Sequence, residues 1–318
     1  MLSEIQRSTS SITDRTQAWI TLPPGDLKRS AARAARDRDG TELWSLTKSW
    51  LCTYGKAGAR VSPKTLESYE VGVRQVLEAA SSVNLLEPPR DWGAGYVRQL
   101  EDPERIPKAM SASSVRVRLA AARALWSALR WSGATQSDPF EFVHPAKDPT
   151  PAWEKRQPYQ QSQLEALLDM AEPRERLILL LGGHAGLRIA ETCALLPEDI
   201  SLEARQLRVQ HGKGGKARTV NLSKRLCEAL LEYPMQRGVA ILGIAPHGAR
   251  HALKRLCLIA GIPYSATHPL RHASGTRLYS QTKDLETVAR HLGHANLETS
   301  RVYAKWSDQT LKLAVEDW

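Results

Sequence analysis

Between His268 and Tyr303 the chain reads HPLRHASGTRLYSQTKDLETVARHLGHANLETSRVY, and no other stretch concentrates so many reactive side chains. His268 and Arg271 stand three residues apart, a spacing that puts an imidazole and a guanidinium on one side of a helix. A second imidazole follows at His294, and a phenol, Tyr303, nine residues after it. Fixed cations that hold a phosphate, imidazoles beside them and a phenol that attacks suit phosphoryl transfer without a metal. Guanidinium is always charged and grips phosphate with two donors, so Arg271 suits the hold. Tyr303 is the nucleophile of the set. A free phenol titrates near pH 10, so it needs a proton acceptor or strongly positive surroundings to attack near neutrality.

Two stations lie upstream. Arg188 follows Gly186 in GLRIAE (186–191), and Lys213 sits in the glycine-rich HGKGGK (211–216). Glu191, one turn after Arg188, reads as a group that orients its neighbours rather than reacts. Lys216 and Arg218 read as phosphate contacts, and His272 as a supporting histidine. Taken singly, each has an ordinary explanation: a surface ion pair, a solvated lysine, a helix-capping pair. GKGGKAR lacks the spacing and the Ser/Thr of a nucleotide phosphate loop, and there is neither HExxH nor a paired Cys/His zinc pattern. The residues therefore call for no metal ligand set and no nucleotide.

The whole chain has 318 residues, a length that favours two domains. Its net charge is +10 and its pI about 9.6, which points to a polyanionic partner. Hydrophobic residues make up 42%, enough for a sizeable core. Cys52, Cys193, Cys227 and Cys257 are scattered through apolar segments and form no CxxC pair, the pattern of reduced thiols in a cytoplasmic protein. The N-terminus has no apolar signal region, and no apolar run approaches membrane-spanning length.

The elements that must carry these stations are mostly helices. Residues 1–40 end in KRSAARAARDRDG and read as a basic extension that touches DNA or frays in solvent. A helical domain over 41–145 follows. Its second helix opens at Ser62-Pro63, with Ser62 as N-cap and Pro63 at the first helical position. Its fourth, SASSVRVRLAAARALWSALRWSG, steps Val115, Leu119, Ala122, Trp126 and Leu129 along one face. Arg116, Arg123 and Arg130 recur every seven residues on another face and read as a row of phosphate contacts. Residues 146–158 read as a proline-rich linker. In 159–318 the run Leu177–Leu181 marks a central helix, and Gly186 suits a left-handed turn. QLRVQ (206–210) and ARTVNL (217–222) form a β-hairpin around HGKGGK. Helices follow at 223–234, 247–260, 268–280, 284–292, 297–304 and 307–317. The fold class is mainly α: a helical first domain, then a mixed α+β domain with a small hairpin sheet.

Order and spacing together resemble the tyrosine recombinase family, the phage integrases and Xer-like enzymes. The resembling residues are GLRIAE at 186–191, GKGGKARTV at 212–220, HPLRH at 268–272, LGH at 292–294 and Tyr303 in HANLETSRVYAKW. They cover the second half from about residue 157. The first half, with its SPKTLESY opening and arginine-rich helix, looks like the family's SAM-like core-binding domain. The resemblance implies that Arg188 and Arg271 hold the scissile phosphate and that His294 hydrogen-bonds it. Lys213 would protonate the departing 5′ oxygen and His268 would handle the tyrosine proton. Tyr303 would form a 3′-phosphotyrosyl link, with no cofactor, metal or ATP. It also implies a double-stranded DNA recombination site as partner, a homo-tetramer on synapsed DNA or a hetero-tetramer with a paralogue, and a cytoplasmic, nucleoid-associated place. The short basic start points to an Xer-like dimer-resolution enzyme, with mobile-element integration as the sister role. A type IB topoisomerase-like enzyme and a non-catalytic DNA-binding protein are the alternatives.

Overall fold

A computed structural model describes residues 17–102, 104, 110–148, 150–155, 157–210, 217–294 and 297–306. The chain divides into two units between residues 149 and 150.

The first unit holds α1 (Pro24–Asp37), α2 (Gly40–Tyr54), α3 (Pro63–Ala79), α4 (Trp92–Glu101) and α5 (Ala112–Trp131). Short polar side chains start three of them. Asp39 accepts from the backbone of Thr41 and Glu42, Ser62 from Thr65, and Ser111 from Ser114. α5 packs on α2 and α3, and Trp126 is wholly buried between the rings of Trp92 and Phe140.

The residues before 41 are not a separate extension, at least from residue 17. Trp19 is 5% exposed, Ala31, Ala34 and Ala35 are buried in the same core, and Arg38 donates to the carbonyls of Ala80 and Val83 (both 2.6 Å). An alanine face does not stand out as an apolar stripe, yet it lets α1 pack closely. Residues 1–16 lie outside the described residues.

The arginine row of α5 is also corrected. Arg123 donates to the carbonyls of Phe140 (3.1 and 3.2 Å) and Val143 (2.6 Å), and Arg130 pairs with Asp138. The chain beyond α5 folds back along this helix, and its carbonyls need donors. Arg116 alone of the three is exposed.

The second unit holds α6 (Gln161–Met170), α7 (Pro173–Gly183), α8 (Ile189–Ala194), α9 (Lys224–Glu232), α10 (Pro246–Ile259), α11 (His268–Thr282), α12 (Leu285–Leu292) and α13 (Arg301–Trp306). Leu177–Leu181 are all buried, and α6, α8, α9, α10 and α11 surround α7, as an all-round apolar helix requires. Within the stretch read as linker, Ala152–Lys155 form a helical turn beside α13. Strands β2 (Gln206–Val209) and β3 (Arg218–Asn221) pair antiparallel, Gln206 opposite Asn221. A two-residue strand β1 (Ile200–Ser201) adds a third, unanticipated member, pairing with β2. Leu207, Val209 and Val220 turn inward to the α7 core. No helix among the described residues is long and apolar enough to cross a membrane, and all four cysteines are free.

Candidate active site

The site forms where α11 begins, and three turns of chain converge on it. Arg271 lies one turn into α11 and is only 1% exposed. Its Nη1 donates to the carbonyl of Gly186 (2.6 Å) and its Nη2 to that of Leu292. Gly186 has φ +66°, and a Cβ there would stand 2.5 Å from Leu292, so glycine is required both for the turn and for the contact. The turn closes with Leu187 donating to Leu181, and it delivers Arg188 to the N-cap of α8.

Glu191 is buried between two arginines. One carboxylate oxygen accepts from the Arg188 backbone (2.9 Å) and the other from its Nη1 (2.8 Å). Arg218, at the start of β3, donates to both oxygens (3.0 and 2.7 Å). Burial works to raise the Glu191 carboxyl, but the bonds from Arg218 and Arg188 outweigh it and hold the group at about 2. Glu191 thus ties Arg188 and Arg218 to each other. Arg218, read as a phosphate contact, instead locks the hairpin to α8. Val209 pairs with Arg218, so the end of the sheet nearest residues 211–216 is the end that Glu191 holds. Lys213 and Lys216 lie outside the described residues.

Tyr303 comes from α13 and is 1% exposed. Its hydroxyl lies 3.3 Å from Nδ1 of His272, its ring stacks on His294 (6.0 Å, 13°), and its face rests against α11 at Gly275. His268 is exposed at the first turn of α11, and its ring meets that of His272 edge-on at 4.5 Å. Nδ1 of His294 is 2.8 Å from the hydroxyl of Ser300.

The electrostatics follow from burial beside fixed cations. Burial pushes Tyr303 up to about 12, with Arg271 and Arg188 pulling the other way. Burial, then the charges of Arg271 and Arg188, press His294 down to about 4, so it is neutral at physiological pH. Burial, then Arg188 and Arg218, lower Arg271 to about 10, which still leaves it charged.

Of the six expected catalytic residues, five converge here: Arg188, His268, Arg271, His294 and Tyr303. Three participants escaped the sequence reading. Ser300 holds His294. Ser274 donates to the carbonyl of His184 (3.0 Å) and lies 3.2 Å from Nε2 of His291, tying α11 to α7 and α12. Gly275 was visible only as an isolated glycine inside a helical pattern, which often marks a close approach.

Two outcomes follow. A Cβ at Gly275 would lie 2.6–2.9 Å from the Tyr303 ring. Gly275→Ala should therefore displace the phenol and slow strand cleavage by roughly tenfold to a hundredfold, with DNA binding unchanged in a mobility-shift titration. Glu191 contributes stability that is fully present above its ordinary value of 4.5 and is lost as pH falls to about 2. Glu191→Gln should cost on the order of 3 kcal/mol at pH 7. In urea unfolding the gap between the two proteins should narrow as pH falls through that window.

The Phage integrase family pattern matches residues 159–310. The tyrosine recombinase XerC of Rhizobium meliloti (strain 1021) is 30% identical over 290 residues, 82% of this chain and 89% of that one. The tyrosine recombinase XerA of Pyrococcus furiosus is 34% identical over 155 residues, covering 45% of this chain and 54% of that one. Among solved structures, a lambda integrase dimer bound to a COC′ core site superposes with TM-score 0.65 at 15% identity, over 83% of this chain and 77% of that one. The XerH recombinase bound to palindromic difH in a post-cleavage complex gives 0.63 at 20% identity, over 92% and 94%. These structures share the fold, and with a relative of 30% identity matched along most of its length, the chain belongs to the tyrosine recombinase family, enzymes that transfer DNA strands.

Proposed function

We propose that this protein is an Xer-like site-specific recombinase that cleaves and rejoins DNA through a 3′-phosphotyrosyl link at Tyr303. The observation that carries this reading is the placing of one buried phenol within the field of both Arg271 and Arg188. Arg188 and the N–H groups of Arg271 not given to Gly186 and Leu292 hold the non-bridging oxygens of the scissile phosphate. Neutral His294 adds a hydrogen bond to the same phosphate. Lys213 protonates the 5′ oxygen as Tyr303 displaces it. The 5′-OH of another strand then reverses the step, so the bond energy is kept. Relatives named XerC and XerA support the Xer-like reading. Resolution of chromosome or plasmid dimers is the role we favour over integration of a mobile element. Its partners are a double-stranded recombination site and further copies of the chain or a paralogue, four subunits on two synapsed sites.

A nicked suicide duplex carrying a site footprinted on the host's own DNA tests the chemistry. The protein should form a covalent adduct and Tyr303→Phe none, with site binding within about threefold. An adduct from the phenylalanine variant would sink the reading. On a plasmid with two sites, two circles should appear; relaxation without exchange would indicate a topoisomerase-like enzyme instead.

The segment 307–318 carries Leu311, Leu313, Val315 and Trp318, and we propose that it docks on a neighbouring subunit. It lies outside the described residues. Its removal should reduce synapsis of two sites at least tenfold more than binding to one site; equal losses in the two titrations would count against docking.

A further inference from the structure

We infer that His272, not His268, is the base that takes the proton from Tyr303. This rests on the reading of Tyr303 as nucleophile. His272 follows Arg271 directly on α11 and stands one turn after His268. Its Nδ1 is 3.3 Å from the phenol oxygen, with the two rings 5.9 Å apart and tilted by 52°. The bare backbone at Gly275, one turn further along, seats the face of the phenol, and the hydroxyl then points back along the helix to His272.

The other imidazoles are placed for different work. His294 lies parallel to the phenol face, where its ring covers the π surface, and Ser300 holds its Nδ1. His268 is exposed on the solvent side of His272 and presents an edge to that ring. That position suits contact with the DNA phosphate.

The phenol needs such a base. Burial leaves it at about 12 despite Arg271 and Arg188, so only about one molecule in 10⁵ would be ionised at pH 7. A phosphate bound beside those two cations would offset their charge and weaken their pull on the phenol. A positioned imidazole removes the proton as the attack proceeds.

The step balances as follows. The O–H bond of Tyr303 breaks and its proton passes to Nδ1 of His272. The Oη–P bond forms, the P–O5′ bond breaks, and the 5′ oxygen takes a proton from Lys213. Nδ1 must begin unprotonated, so Nε2 carries the hydrogen and an imidazolium results. On rejoining, the same proton returns to Oη as the phenol leaves.

A suicide duplex with sulfur in place of the bridging 5′ oxygen separates the two proton transfers, because a thiolate leaves without a proton donor. His272→Ala should slow adduct formation by about a hundredfold or more on the ordinary duplex. Added imidazole should restore part of the rate, and the defect should persist on the sulfur duplex, where Lys213→Ala recovers. His272→Asn can accept a hydrogen bond from the phenol but cannot take its proton, and should be as slow. It decides the matter if the alanine variant also loses DNA binding. Cleavage within about threefold of the parent by His272→Asn, or a His272→Ala defect that vanishes on the sulfur duplex, overturns the assignment. An adduct formed by Tyr303→Phe, or none by the parent protein, instead overturns the phosphotyrosyl reading, and the role of His272 falls with it.

Discussion

One buried guanidinium sets the geometry on which the second unit's chemistry depends. Arg271 sits in the interior with no carboxylate directly on it among the hydrogen bonds described, and its hydrogen bonds go to the carbonyls of Gly186 and Leu292. Removing a charge from water is costly unless every donor is met. Here the cost is offset by two carbonyls that helix ends leave without partners, at the turn after α7 and the last turn of α12. Each turn leads directly into a functional residue, Arg188 in one case and His294 in the other. Removing the Arg271 guanidinium would leave two buried carbonyls unmet, so the residue proposed to grip the phosphate also holds the local fold together. A lysine cannot replace it, because a single ammonium cannot span both carbonyls and still face a phosphate.

Around that charge the site sorts its groups by protonation state. Glu191, held at about 2, is a permanent anion that neutralises part of the arginine charge before DNA arrives. His294, at about 4, is a permanent neutral hydrogen-bonding group, and Tyr303, at about 12, a permanent phenol until a base acts. The arginines cannot give up protons near neutrality, so none can serve as the acid or the base. What remains for proton traffic is a lysine on the hairpin loop and the His268/His272 pair on α11. Preorganisation of this kind puts most of the transition-state stabilisation in place before the reaction starts.

Much of this was legible because the signals are local. Ser62-Pro63 starts a helix, Gly186 takes the left-handed turn, and the two strands on either side of HGKGGK pair antiparallel as a hairpin requires, each dictated by neighbours a few residues away. The misread arginines all have distant partners. Arg123 and Arg130 repeat like solvent-facing charges, but carbonyls at 140 and 143 and a carboxylate at 138 claim them. Arg218 looked like a phosphate contact until Glu191, 27 residues earlier, was seen to hold it. The packing of α1 into the core was not legible because alanine faces carry little hydrophobic contrast while packing well. His272 showed its spacing to His268, but nothing local reveals that a phenol 31 residues later comes to rest against it.

The interval between His294 and Tyr303 has a physical meaning of its own. His294 leaves the left-handed C-cap of α12 at Gly293, and its Nδ1 meets the hydroxyl of Ser300, which is fully buried. That bond fixes the short 3₁₀ turn Leu297–Ser300, and α13 starts at the next residue. Tyr303 then stands one turn past Ser300, on the same buried side. One residue more or fewer between Ser300 and Tyr303 would rotate the phenol about 100° around α13, away from Gly275 and His272. A change ahead of Ser300 would break the bond that holds His294 parallel to the phenol. The stacking of His294 on Tyr303 is therefore fixed by backbone register, and the imidazole and the phenol are positioned as one piece.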